Sequence, residues 1–186
     1  MKLNLGCGNN KKPGYINVDK FTACHPDEQV DLEHFPWPWA DHSVDEILLN
    51  HVLEHLGATT EIYFGVIREL YRICADKARI VITVPHPRHD NFLHDPTHVR
   101  AITPQGLELF SRKLNKEWAE SGIASSPLGD YLGVDFEIEK ADMVPAEPWR
   151  GRFKQRKISS DELMAAARQF NNVIIEISIV LRAVKS

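Results

Sequence analysis

With 186 residues and a formal net charge of −4, the chain suits one domain with one core, spanning residues 1–186, and offers no general electrostatic attraction for nucleic acid or an anionic membrane. Its apolar and charged fractions, 43% and 26%, are those of an ordinary soluble protein, and no apolar run approaches the ~20 residues that span a bilayer. The N-terminus carries no signal-peptide pattern, and Cys7, Cys24 and Cys74 form an odd, scattered set that suits reduced thiols in a cytoplasmic protein.

In chain order, Leu3-Asn4-Leu5 is an apolar strand running straight into Gly6-Cys7-Gly8. Glycine admits backbone angles other residues resist and lets a ligand lie against the main chain. Lys11-Lys12-Pro13-Gly14 leaves almost no room for a helix, and Tyr15-Ile16-Asn17-Val18 predicts a second short strand ending at Asp19. Residues 20 to 29 are polar and irregular, and Val30-Asp31-Leu32 predicts a very short third strand. Phe35-Pro36-Trp37-Pro38-Trp39 is too rich in proline for a helix or central strand and predicts an aromatic loop.

Val44 to Asn50, with its run Ile47-Leu48-Leu49, has the character of a buried parallel strand. Ile62, Val66, Ile67, Leu70, Ile73 and Cys74 fall at helical spacing after Thr59 or Thr60 as N-cap. Arg79 to Val84 is a β-branched strand stopping at Pro85. Residues 86 to 102 form a polar loop rich in His, Asp and Arg. Thr103-Pro104 marks the N-cap and first position of a short helix to about Lys113, and residues 121 to 133 suggest loop. Val134, Phe136 and Ile138 alternate with acids as a strand with one wet face, and a basic loop runs from Arg150 to Lys157. Ser159 and Glu162 make a capping box for a helix to Phe170, and Val173 to Val184 is the last strand. Alternating strands and helices predict an α/β fold with a mostly parallel sheet covered on both faces.

A strand, a glycine loop and an acid ending the next strand form a cofactor constellation, since the acid can accept hydrogen bonds from both ribose hydroxyls of an adenosine-type ligand. A dinucleotide fingerprint wants a third glycine where Lys11 stands, opening a long helix for a pyrophosphate, and Pro13-Gly14 cuts that helix short. S-adenosylmethionine has no phosphate and needs no such helix.

Leu3 to Gly8 resembles motif I of class I S-adenosylmethionine-dependent methyltransferases, and Gly14 to Asp19 resembles the strand that ends in the ribose acid. Asp31-Leu32, Phe35-Pro36-Trp37 and Ser43-Val44-Asp45 are similar to the segment bracketing the adenine. His51-Val52-Leu53-Glu54-His55-Leu56 resembles the Leu-Glu-His signature of the small-molecule branch called type 11, and Asp95 to Arg100, leading into Thr103-Pro104, resembles a segment after that branch's fifth strand. The likeness covers about residues 1 to 113. It implies a Rossmann-like, mostly parallel sheet with helices on both faces and an antiparallel last strand, and methyl transfer from S-adenosylmethionine. By position, Gly6, Cys7 and Gly8 would floor the methionine part, Asp19 would bind ribose, Asp31 and Leu32 would contact adenine, and Asn50 and His51 would line the pocket below the sulfonium. The sequence departs from the common pattern in opening directly on the first strand, in a vestigial first helix and in a nearly absent second one.

His51-x-x-Glu54-His55 also has the spacing of inverted zinc peptidases, which would put both imidazoles on one helical face. The methyltransferase pattern already accounts for the stretch and zinc would need a third protein ligand, so no metal is assigned. In the loop after the fifth strand, His86, Asp95 and His98 are the expected proton acceptors. The expected acceptor is an oxygen or nitrogen nucleophile on a small molecule or on a saccharide or lipid-linked intermediate. The basic run from Arg150 to Lys157, with Trp149 and Phe153, suits a phosphorylated acceptor, and nucleic acid is not expected on an acidic chain. Two other classes stay open, a non-catalytic S-adenosylmethionine-binding module and a metal-dependent hydrolase built on His51, Glu54 and His55.

Overall fold

The computed structural model describes residues 1–185. Seven strands form one sheet: β1 (Lys2–Leu5), β2 (Ile16–Asp19), β3 (Glu28–Gln29), β4 (Val44–Asn50), β5 (Cys74–Pro85), β6 (Phe136–Pro145) and β7 (Ile174–Ala183). Their order is β3-β2-β1-β4-β5-β7-β6, and every pairing is parallel except the two made by β7. This is the mostly parallel Rossmann-like sheet with an antiparallel last strand, and the order reverses between β1 and β4. At such a reversal the loops leaving two neighbouring strands diverge and open a crevice at their carboxyl ends. The glycine loop follows β1 and His51 follows β4.

The strand register explains the core. Leu5 pairs with Leu49 and Leu49 with Ile82, while Ile82 faces Ile179 across the antiparallel pair. These side chains share one buried face of the sheet, and their alternate neighbours Leu48 and Val81 are only half-buried. Helix α1 (Thr60–Ile73) lays Tyr63, Val66, Ile67, Leu70 and Ile73 into this core at helical spacing. Each fully buried aliphatic side chain there stabilises the fold by roughly 1.5–3 kcal/mol. Thr59 starts the helix by accepting a hydrogen bond from the Ile62 amide.

Further helices surround the sheet: α2 (Asp90–Leu93), α3 (Pro104–Glu108), α4 (Arg112–Glu120), α5 (Leu128–Leu132), α6 (Trp149–Lys154) and α7 (Ser160–Gln169). The Ser159–Glu162 capping box of α7 is formed. Several boundaries differ from expectation. The third strand lies at Glu28–Gln29 and not at Val30–Leu32. The helix expected over Thr103–Lys113 is two helices, because Ser111 caps a new one by accepting from the Leu114 amide. Residues 128–132, expected as loop, form α5, and the first half of the basic run is helical as α6. No helix of the described residues is long and apolar enough to cross a membrane, and all three cysteines are free thiols.

Between β1 and β2 no helix forms, and side-chain amides shape the loop instead. Asn4 and Asn17 are register partners, and Asn4 Nδ2 donates to Asn17 Oδ1 at 2.9 Å and to the Asn10 carbonyl at 3.0 Å. Asn17 Oδ1 also accepts from the Lys12 amide at 2.7 Å. Asp27 receives both the Asn17 amide and its Nδ2 at 2.8 Å, which holds the Asp27 carboxyl below its ordinary pKa.

Candidate active site

The crevice at the sheet's reversal holds a cavity of about 390 Å³, lined by Gly6, Asp19, Asp31, Leu32, His51 and Thr97 among others. That volume lies within the ~300–1,000 Å³ of ordinary ligand sites. Gly6 has φ +61°, and a Cβ built on it would stand 2.5 Å from Val52 Cγ2, so only glycine lets the chain pass there. Asp19, at the end of β2, is held by the main chain: Gly8 N donates to Oδ2 at 2.8 Å and Phe21 N to Oδ1 at 2.9 Å. Each oxygen keeps a further lone pair for a hydroxyl of a ligand. Asp31 is kept ionised by the Glu33 amide at 3.0 Å and then by His34, which together hold its pKa below the usual carboxylate range.

The aromatic loop that follows Asp31–Leu32 is anchored from α1. Arg72 binds Glu69 and Asp41 and donates to the carbonyls of Trp37 and Trp39, while Glu69 accepts from the Trp37 amide at 2.6 Å. Trp37 and Trp39 are buried, the indole of Trp37 donating to the Leu32 carbonyl at 3.1 Å. One side of the cavity thus inherits its shape from α1.

At the mouth of β4, His51 adopts φ +55°, a left-handed conformation uncommon outside glycine. Its Nε2 lies 3.1 Å from Glu176 Oε2 on β7, and its Nδ1 lies 3.4 Å from Glu54 Oε1. Glu54, then Glu176, raises the His51 pKa against the opposing effect of burial. His51 also walls a second cavity of about 260 Å³ with Asn91, His98, Arg150 and Glu176. The two cavities therefore meet at one side chain.

Of the residues expected to hold a cofactor, Gly6, Asp19, Asp31, Leu32 and His51 line the first cavity, and Cys7, Gly8 and Asn50 do not. Cys7 is buried beneath the loop, where desolvation and then the nearby Asp19 push its thiol pKa up. Gly8 acts through its amide on Asp19, and Asn50 is exposed at the strand end. Of the residues expected to take a proton, His98 reaches the wall of the second cavity. His86 lines neither cavity, and its Nδ1 accepts from the Arg88 amide at 3.1 Å. Asp95 is bound to the amide and hydroxyl of Thr97 at 2.8 and 2.6 Å. Phe21 and Thr97 in the first cavity and Glu176 in the second were not singled out from the sequence. A phenylalanine two residues past Asp19 was the available signal for Phe21.

No family model matches the sequence, and no curated protein matches it. Solved structures do. A methyltransferase dependent on S-adenosylmethionine from Archaeoglobus fulgidus superposes with a TM-score of 0.64 at 19% identity, covering 97% of this chain and 85% of that one. One from Methanosarcina mazei gives 0.58 at 12% identity over 100% and 92%. The 1,6-didemethyltoxoflavin-N1-methyltransferase of Burkholderia thailandensis, with 1,6-didemethyltoxoflavin and S-adenosylhomocysteine bound, gives 0.52 at 11% over 99% and 71%. At these identities the likeness shows the fold, which is that of the class I methyltransferases dependent on S-adenosylmethionine.

Proposed function

We propose that this protein binds S-adenosylmethionine in the first cavity and transfers its methyl group to an oxygen or nitrogen nucleophile of a small molecule seated in the second. The observation that carries the reading is that Gly6 and Asp19, at the ends of the adjacent strands β1 and β2, both line the first cavity. Gly6 lets the loop pass against Val52 where any Cβ would collide, and Asp19 presents fixed carboxylate oxygens that can accept from the hydroxyls of an adenosine ribose. The neighbours of the same fold, one with S-adenosylhomocysteine bound, support the same cofactor.

S-adenosylmethionine, when bound, supplies an electrophilic methyl group on a sulfonium. The chain's own residues supply position and a destination for a proton. Asp19 holds ribose, Asp31 and Leu32 hold adenine, and Phe21 offers a ring face beside them. Because His51 lines both cavities, an acceptor in the second would meet the methyl group of the first beside that imidazole. Alignment of this kind supplies most of what an in-line displacement requires. His51, set between Glu54 and Glu176, is the residue placed to relay the nucleophile's proton, taking it at one ring nitrogen as the other passes its own to the neighbouring glutamate. Arg150 and Asn91 give the acceptor cavity hydrogen-bond donors, which suits a small polar or anionic molecule, a glycan-type intermediate included.

Calorimetry with S-adenosylhomocysteine tests the first step. The wild type should bind it with one site, and Asp19→Ala should weaken binding by at least about tenfold, the loss of a charged hydrogen-bond acceptor. Failure of the wild type to bind, or equal binding by the variant, overturns the cofactor assignment.

A further inference from the structure

Neither carboxylate oxygen of Glu54 has a hydrogen-bond partner among the described residues, although the side chain is only 1% exposed. An unpaired buried carboxylate is costly, and such groups are ordinarily paired or coordinate a metal. Glu54 lies in a 3-10 turn (Leu53–His55), and its carbonyl accepts from the amides of both Val99 and Arg100, at 2.9 and 3.2 Å. Those two bonds fasten the loop after β5 onto the turn and bring His98 to it. His98 Nε2 then stands 4.0 Å from Glu54 Oε1, and the His55 and His98 rings are 4.6 Å apart.

The hydrogen bonds fix which nitrogens carry protons. His98 Nδ1 lies 2.9 Å from the Phe92 carbonyl, which can only accept, so Nδ1 is protonated and Nε2 of the neutral ring is bare. His55 Nδ1 lies 2.9 Å from Thr97 Oγ1, whose own hydrogen is donated to Asp95 at 2.6 Å. His55 Nδ1 is therefore also the donor, and its Nε2 is bare. Two imidazoles with their second nitrogens anchored, beside a buried carboxyl group that accepts no hydrogen bond and has His51 Nδ1 at 3.4 Å from Oε1, make the donor set of a metal site with its outer shell in place.

We infer that Glu54, His55 and His98 form a site for a divalent transition-metal ion such as Zn²⁺ or Co²⁺. One ligand atom from each lies within 4.8 Å of the others. Tetrahedral ligands at ~2.0–2.1 Å from zinc stand about 3.3 Å apart, so side-chain adjustment of about 1 Å would close the set. His55 lines the first cavity and His98 the second, so the ion would sit in the wall between them with a coordination position left open. The sequence motif alone lacked a third ligand. The fold supplies His98 and holds His51 between Glu176 and Glu54. Metal binding stands independently of the methyltransferase reading. The role rests on that reading: an acceptor oxygen bound at the open position would lose its proton at a lower pH than in water.

Titration of tag-free protein with Co²⁺, followed by visible absorption and displaced by Zn²⁺, tests the site. One equivalent should bind, with the spectrum of a nitrogen- and oxygen-ligated ion. His98→Gln and His55→Gln should each weaken binding by at least about tenfold, as should Thr97→Val, which keeps all three ligands but frees the His55 ring. His25→Gln, far from the set in sequence and outside both cavities, should bind as the wild type. No stoichiometric uptake by the wild type, or undiminished uptake by folded His98→Gln, overturns the proposal. S-adenosylhomocysteine binding by the same proteins is measured separately, so failure of the metal site is distinguishable from failure of the cofactor site.

Discussion

Asn4 and Asn17 clasp side chains across β1 and β2 at 2.9 Å, and through Asn10 and Lys12 they hold the glycine loop in the form a helix would otherwise impose. Asn17 is 5% exposed and uses both its amide groups. Its replacement by Ala should cost about 2–4 kcal/mol, because several partners lose their bonds together. Urea unfolding should show the loss as a lower midpoint, with S-adenosylhomocysteine affinity falling in parallel; unchanged affinity would show that the loop keeps its shape without the amide.

Gly6 and Gly8 both have positive φ, but a Cβ at Gly6 collides with Val52 whereas one at Gly8 meets nothing within 4 Å. Gly6→Ala should abolish detectable cofactor binding and lower thermal stability. Gly8→Ala should cost only the backbone strain, about 1–2 kcal/mol, and leave weakened binding measurable. Calorimetry on the pair checks the contrast, and equal losses would contradict it.

His51 combines a left-handed backbone with the central position between the two cavities. Asparagine tolerates that conformation well. His51→Asn should keep its melting behaviour to within about 1 kcal/mol and keep S-adenosylhomocysteine binding measurable, while methyl transfer falls by about 10²–10⁴, the range for a lost general acid–base residue. A radiolabelled methyl-transfer assay on an accepted substrate reads this; transfer at the wild-type rate would remove His51 from the mechanism.

The Arg72 cluster predicts a direction with pH. Arg72 holds the pKa values of Glu69 and Asp41 below their ordinary positions. Carboxyls depressed in the folded state contribute stability above the unfolded value, about 4, and that contribution is lost as pH falls through the lower folded values. Arg72→Met should therefore move the acid-unfolding midpoint, followed by circular dichroism, to higher pH. Glu69→Ala should in addition cost about 1–3 kcal/mol at neutral pH by stranding the buried Trp37 amide.

The central strands were legible because burial on the sheet leaves runs such as Ile47-Leu48-Leu49 and Arg79 to Val84, and α1 because its apolar residues recur at helical spacing. What escaped was set by tertiary partners. The third strand is two polar residues recruited by Val18 and Asp19, with no apolar signature of its own. β6 runs on to Pro145 through exposed residues 139–142, whose pairing to β7 leaves no alternation to read. Asn115 breaks the expected single helix by binding the Leu109 carbonyl and the Gly129 amide, a partner fourteen positions away. Among the lining residues, Gly6, Asp19, Asp31, Leu32 and His51 follow from local strand-and-loop order and His98 from the polar loop after the fifth strand, whereas Glu176 on β7 is brought to His51 only by the fold.

His51 forms part of the boundary of both cavities, so ligands occupying the two would share a partition. Any displacement of that imidazole by one occupant changes the room and the charge offered to the other. Thermodynamic reciprocity then requires each ligand to alter the other's affinity by the same factor. Binding of S-adenosylhomocysteine and of an acceptor should for that reason be coupled, and a common ring makes the coupling a property of one residue's position.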